Sequence, residues 1–374
     1  MMVFSLALRN LLYDRARLLA TLAGVTFSVM LMAGQTAIYL GASRTIATII
    51  DRSRADLWIL PVGSQSFEEA LPLLTEFDRQ SALSTPGVKR VTSLVTCFAR
   101  WQQPSGETDT IILIGSEPNA NGPQPFDAGV LGQDVGLSGV VVDSGYLDAL
   151  GAAGVGSIAS IGDHRIHIGA LSKGIRSFTR APYVFVRPDQ ARKYLDLPPR
   201  ALTFLLVDVE NSASLEEIRS ELSKRIRNVE VLTQAEFRAR TLDRWLNQTG
   251  AGQALIMGSI LGAIIGAAII AQTMNMSVRE HLSEFALLRA MGSSSSYVQT
   301  IVLAQVVAIA GAGVIVGLGA LLLLVPLSEN SPLRLTVSVR QLTLVVVSTL
   351  VIGMLSSASA LSKVKKVDPA SLLR

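Results

Sequence analysis

Few residues in this sequence could do chemistry, and their spacing suits little of it. His164 and His167 lie three apart and could supply two metal ligands. A zinc site usually draws three or four from histidine, cysteine and carboxylate, and the remaining histidine, His281, is distant in the chain. Two polar residues on a strand is the simpler reading. The single cysteine, Cys97, excludes an intramolecular disulfide and any C-x-x-C pair. Gly169, Lys173 and Gly174 bring together the residue types of a phosphate loop in the wrong order, and no G-x-x-x-x-G-K-[ST] occurs. A G-x-S-x-G elbow and an H-E-x-x-H helix are also missing. The expectation is a chain with no catalytic residues, cofactor site or metal site of its own, so that any energy from ATP comes from a separate subunit.

The elements that would position such residues are dominated by apolar runs. Charged residues make up 17% of the 374, and mean hydropathy is +0.43; soluble domains average about 25% charged. Residues 44–244 carry charge at ordinary density, and the apolar excess falls in four blocks outside them. About 20 apolar residues cross a bilayer core. The charge-free runs predict spans at 18–43, 250–275, 298–326 and 341–362. Residues 1–17 read as a basic amphipathic helix on the membrane surface, with Phe4, Leu8, Leu11 and Leu12 at helical spacing and Arg9, Arg15 and Arg17 between them. A secretory signal is the alternative, disfavoured by three later spans and by the lack of a small-residue cleavage site. The positive flanks, Arg9, Arg15 and Arg17 at one end and Lys363, Lys365, Lys366 and Arg374 at the other, predict two cytoplasmic termini. Residues 44–245 are then extracytoplasmic, 276–297 a cytoplasmic loop, 327–340 a short outer loop and 363–374 a cytoplasmic tail; Arg334 and Arg340 run against the rule. The pI of about 9.3 is explained by these flanks, and nucleic acid is not expected as a partner.

The fold class expected is a four-helix membrane protein with a large α/β extracytoplasmic domain. Strands are predicted at 88–101, 110–115, 140–142, 165–168, 183–186, 202–209 and 229–232. Helices are predicted at 67–77, at 214–227 with Ser214 and Glu217 as a capping box, and from Thr233 and Glu236 onward through Trp245 into the second span. Residues 44–115 and 200–245 read as βαβ-type parts of one subdomain, and 116–199 as an inserted β-rich subdomain.

Two further patterns concern contacts. Gly258, Gly262 and Gly266 recur four apart in the second span, and Gly313 and Gly317 in the third. Such ladders let helix backbones approach closely, either between two copies of the chain or within one. Gln35, an amide within the first span, could line a lateral cleft for an amphiphilic substrate or make a structural interhelical hydrogen bond. In 276–297, Val278, Leu282, Phe285 and Leu288 or Arg289 are spaced as on a helix, with Glu280 and Glu284 on one face and Gly292 at its end. A plain amphipathic connector is the bland reading of that loop.

Residues 24–35, GVTFSVMLMAGQ, resemble the opening span of DevC-type exporter permeases. The loop MSVREHLSEFALLRAMGSSSSYV is similar to the V-x-E-R…E-x-A-x-L-R-A-x-G motif of the MacB/FtsX permease superfamily, matching at Glu284, Ala286, Leu288, Arg289, Ala290 and Gly292. Val278, Arg279 and Glu280 carry base and acid in reverse order. The end of the chain, VDPASLLR, resembles the family's closing segment, and the layout of one span, a large domain and three spans agrees. The resemblance implies a homodimeric ABC permease in the bacterial inner membrane, in contact with membrane lipids and with two copies of a separate ABC ATPase that bind ATP and magnesium. It implies work by mechanotransmission with a periplasmic membrane-fusion protein and an outer-membrane duct, on amphiphilic cargo. Glu280, Glu284, Phe285, Leu288, Arg289 and Gly292 would form the ATPase-coupling element, with Phe285 and Leu288 inserted into a groove of the ATPase. The rival readings are an FtsX-like signalling subunit regulating a periplasmic hydrolase, a lipoprotein-releasing permease and, last, a lone membrane enzyme.

Overall fold

The computed structural model describes residues 13, 15–71, 73–117, 139–179, 181–210, 214–328, 335–358 and 362. Most of the basic amphipathic segment, Arg334 and the tail 363–374 lie outside them. The chain divides into a helix unit, Met1–Gly41 with Gly252–Arg374, and a sheet unit, Ala42–Ala251.

Four helices are long and apolar enough to cross a membrane: α1 (Arg15–Asp51), and three more after the sheet unit. At 37 residues α1 is far longer than a span requires, and it is unbroken. Its apolar part belongs to the helix unit and its charged end to the sheet unit.

The sheet unit follows. Its elements are β1 (Leu57–Pro61), β2 (Leu74–Thr75), α2 (Glu76–Leu83), β3 (Val88–Gln102), β4 (Thr108–Ser116), β5 (Gly139–Asp143), β6 (Ile158–Ile161), β7 (His164–Ser172), β8 (Tyr183–Val186), α3 (Pro188–Tyr194), β9 (Ala201–Leu202), β10 (Phe204–Val209), α4 (Leu215–Arg225), β11 (Val229–Thr233) and α5 (Gln234–Leu242). Among the described residues nine strands form one sheet in the order β11-β1-β10-β3-β4-β8-β5-β7-β6. β1 is antiparallel to both β11 and β10, and β10 is antiparallel to β3. The segments β1-α2-β3 and β10-α4-β11 therefore each join two parallel strands with a third strand between them, the split βαβ arrangement. Strands β4 to β8 extend the same sheet, while β9 pairs with β2 in a separate two-stranded sheet. β8 is parallel to β4, β5 antiparallel to β8, β7 parallel to β5 and β6 antiparallel to β7. The far end of β3 then pairs with β6 at Trp101↔Ile161. The six strands β3, β4, β8, β5, β7 and β6 thus close into a ring, which requires a β3 of 15 residues.

Side chains on a strand alternate between faces, and both faces here are covered. On β1, Leu57 and Ile59 join one core with Ala82 of α2 and Ile218 and Leu222 of α4. Trp58 and Leu60 join the other with Ile49 and Ile50 of α1 and Phe237 of α5. Phe204 and Leu206 of β10 repeat the pattern on the second face, and Leu205 and Val207 on the first.

Three local expectations are corrected. Residues 67–71 and 73–75 are turn and extended chain rather than the first part of a helix over 67–77: the sequence places a proline at 72, which lacks an N–H and suits no helix interior. The helix starts instead at Glu76, where Thr75 N donates to Asp78 Oδ2 at 2.8 Å. Ser214 stands at the N-cap of α4 without a side-chain capping bond, whereas Thr233 and Glu236 make a complete capping box on α5. Finally, the helix does not run unbroken past Trp245. It widens into a π-helical turn, Asp243–Gln248, and stops before Gly250, whose φ of 77 is a left-handed value that glycine adopts without strain.

Candidate functional site

The helix unit comprises the apolar part of α1 with α6 (Ala251–Glu280), α7 (Leu282–Ala290), α8 (Ser295–Leu327) and α9 (Val339–Ser356). Without water to drive apolar contact, helices in a bilayer associate through close packing and hydrogen bonds. Both glycine ladders provide this against α1 of the same chain. A Cβ added at Gly258 would lie 2.9 Å from Gln35 Nε2, one at Gly262 would lie 3.2 Å from Leu31, and one at Gly266 would run into Ser28 Oγ. Gly24 answers from α1, where a Cβ would lie 2.6 Å from Ile269. Across the seam Ser28 Oγ donates to the Gly262 carbonyl at 2.6 Å. On α8, Cβ atoms at Gly313 and Gly317 would lie 2.6 Å from Val25 and 2.9 Å from Val29. Gln35, read from sequence as a possible cleft residue, packs its amide over Gly258 in this seam.

Sequence reading missed two amides that stitch the same bundle. Gln341 Nε2 donates to the Ala33 carbonyl at 2.9 Å and to Thr36 Oγ1 at 2.8 Å. Gln305, fully buried on α8, accepts from Ser277 Oγ at 3.5 Å. Gln341 sits at the margin of an apolar run, where an amide does not stand out, whereas Gln305 lies inside one.

The turn between α6 and α8 carries the predicted coupling residues. Glu280 ends α6 and forms an ion pair with Arg17 of α1. His281 Nδ1 lies 2.9 Å from the Ser277 carbonyl, so the proton on that nitrogen is donated to it. Gly292 has φ of 92, which ends α7, and Ser294 caps α8 by accepting from Tyr297 N at 3.2 Å. Phe285 corrects the expectation for this element. It is 1% exposed and packs with Val278, Val298, Ile301 and Val302 in the chain's own core. It anchors α7 to the bundle and offers no free surface to insert elsewhere. The exposed side of α7 is Glu284 with Leu287 and Met291, which are 62% and 68% exposed. The spacing of these three residues, three and then four, places them on one helical face. Leu288 and Arg289 lie on α7, and their side chains are outside the described residues.

In the sheet unit, the ring of His164 packs against Tyr194 at 5.2 Å. Among the described residues no three of His, Cys, Asp and Glu gather into a metal-binding group. Burial raises the Cys97 thiol above its usual range, which disfavours the reactive thiolate.

Residues 18–225 match the family model of the MacB-like periplasmic core domain, and residues 256–369 match that of the FtsX-like permease C-terminal domain. No curated protein sequence matches the chain. Among solved structures, the periplasmic region of MacB from Actinobacillus actinomycetemcomitans is similar at 9% identity, over 50% of this chain and 92% of that one, with a TM-score of 0.37. The extracellular domain of the noncanonic ABC-type transporter YknZ from Gram-positive bacteria is similar at 15% identity, over 48% and 99%, with a TM-score of 0.34.

Proposed function

Given that the chain belongs to the MacB/FtsX permease superfamily, we propose that it is the non-catalytic membrane subunit of an ABC exporter, with α7 as its contact to a separate ATPase. The observation that carries this reading is the division of α7 into two sides. Phe285 and Ala286 fix the helix to the bundle, while Glu284, Leu287 and Met291 stand free on the other side. An anchored helix with an exposed apolar and acidic face suits transfer of force, because a push on Leu287 is passed to the core through Phe285. Two exposed apolar anchors would contribute most of the docking energy and Glu284 the register.

In this reading both termini and α7 are cytoplasmic, the sheet unit faces the periplasm, and two copies of the chain meet two copies of the ATPase, which bind ATP and magnesium. Closure of the ATPases tilts the helices, and the tilt reaches the sheet unit by mechanotransmission. The two connections differ in a way that supports this. The first, α1, is one unbroken helix, whereas the second is interrupted at Gly250. A membrane-fusion adaptor and an outer-membrane duct would then carry amphiphilic cargo away, as in DevC-type systems.

The test is co-purification. Leu287→Asp with Met291→Asp is expected to leave the permease in the membrane with unchanged thermal stability and to remove the ATPase from it. Wild-type recovery of the ATPase would contradict the assignment of this face.

A further inference from the structure

Glu68 is a carboxylic acid in a place that suits no charge. It is 4% exposed and lies in the turn after β1, between Phe67, which is stacked on Phe204 at 5.3 Å, and Glu69. Its oxygens meet two donors from distant parts of the fold. Tyr183 Oη on β8 donates to Oε1 at 2.6 Å, and Trp245 Nε1 on the π-helical turn donates to Oε2 at 3.3 Å. No cation pairs with it among the described residues.

The other ionisable groups around it are accounted for. On its own segment Glu69 is held by both Nε and Nη2 of Arg244, each at 2.8 Å. On the π-helical turn, Asp243 accepts from Asn247 and Gln248. Behind Tyr183 stand Tyr146, whose Oη accepts from Ser177 N at 3.2 Å, and Arg176, which lies over the Tyr146 ring at 6.0 Å. Asp143, buried in the same loop cluster, accepts from Ile175 N at 2.8 Å.

Trp245 therefore sits where three segments converge. Glu68 holds its N–H, Phe178 from the β7–β8 loop packs edge-on at 5.8 Å, and its neighbour Arg244 is paired with Glu69. π-helical turns inside helices are rare and concentrate at functional sites, and this one leads into the glycine break before α6.

We propose that Glu68 is a proton-operated latch: protonated, it holds Trp245 and the π-helical turn Asp243–Gln248 against the sheet unit, and loss of the proton releases that turn. A neutral carboxyl is tolerated among aromatic rings, whereas a carboxylate without a cation draws water in and opens the contact. Burial accordingly raises Glu68 above the ordinary glutamate value of 4.5, and Tyr183, raised as well, keeps its proton and remains a donor. With the folded value above the unfolded one, the stability derived from Glu68 is complete below pH 4.5. It declines as the pH rises from there through the folded value. The inference concerns the sheet unit alone and holds whether or not the chain is coupled to an ATPase.

The experiment is tryptophan emission of the full chain from about pH 4 to about pH 9. The Trp245→Phe spectrum is subtracted so that Trp58 and Trp101 cancel. The Trp245 emission is expected to move to the red as pH rises, with a midpoint above the ordinary glutamate range. Glu68→Gln, which has no titrating proton and keeps one acceptor oxygen for these two donors, is expected to lose that shift. Infrared difference spectra should contain the carbonyl stretch of a buried protonated carboxyl at low pH in the wild type, and lose it in Glu68→Gln. A Trp245 signal that is flat across the range, a shift that persists in Glu68→Gln, or the absence of the carboxyl band from the wild type would each overturn the latch.

Discussion

Gly262 and Trp58 each sit at the centre of a packed unit, one with no side chain and the other with the largest. In the helix unit the important contacts are made by what is missing. Gly262 lets Leu31 and the Ser28 hydroxyl reach its backbone, and Gly313 and Gly317 admit Val25 and Val29. In the sheet unit they are made by volume, with the Trp58 ring 5.1 Å from Phe237 and 5.6 Å from Phe204. The difference follows from the solvent each unit meets. Water drives apolar area together and favours large rings. Lipid gives no such drive, so helices gain most from close approach and from hydrogen bonds across it.

That contrast sets the order of expected mutational effects. The largest is Trp58→Ala, expected to destabilise the sheet unit by about 3–5 kcal/mol, as for other large-to-small changes at buried aromatic sites. Thermal unfolding of the purified chain checks it. Gly266→Leu comes next, since its side chain would collide with Ser28. A loss of about 1–3 kcal/mol is expected, as for overpacking in other cores. Gly311→Leu, with nothing within 4 Å of an added Cβ, is the control and should unfold like the wild type. If both glycine variants behave alike, smallness is not what holds α1.

A smaller pair of changes probes the helix caps of the sheet unit. Thr233→Ala removes an acceptor for Glu236 N and is expected to cost about 1 kcal/mol. Ser214→Ala removes no side-chain cap and should be close to neutral. Glu236 adds a pH signature. Hydrogen bonding from Thr233 N, then Arg219, holds its carboxyl below the ordinary value of 4.5. Its contribution is therefore present above that value and is lost as the pH falls below it. Unfolding midpoints recorded on either side of that value should differ less in Glu236→Gln than in the wild type.

The four long helices were legible because a charge-free run of that length has few other uses. In β3, β4 and β7 exposed or half-buried positions accompany the buried ones, whereas β5 and β8, buried throughout, were legible as short runs of β-branched and aromatic residues. Leu57–Pro61 was not legible. With both faces covered, all five residues are buried and no alternation marks them as a strand. The Gly250 break was missed because a single glycine carries little weight beside a strong helical pattern, and its φ is a property of the fold. The glycine ladders announced close contact without naming the partner, which the geometry supplies as α1. Phe285 was misread for a related reason. Helical spacing groups residues by face, but it does not distinguish a face turned to the chain's own core from one turned outward. Leu287 and Met291 were passed over because they fall outside the apolar repeat that Phe285 belongs to.

The central claim is that events at α7 reach the sheet unit. It is tested most directly by spin labels at Ser105→Cys in a Cys97→Ser background, with the permease assembled with its ATPase in lipid nanodiscs. Pulsed dipolar spectroscopy then reads the distance between the two copies of the sheet unit. The account predicts one distance distribution without nucleotide and a different one with ATP trapped on a hydrolysis-deficient ATPase, the shift being lost when Leu287 and Met291 are both aspartate. Identical distributions with and without ATP, in complexes that retain the ATPase, would contradict it.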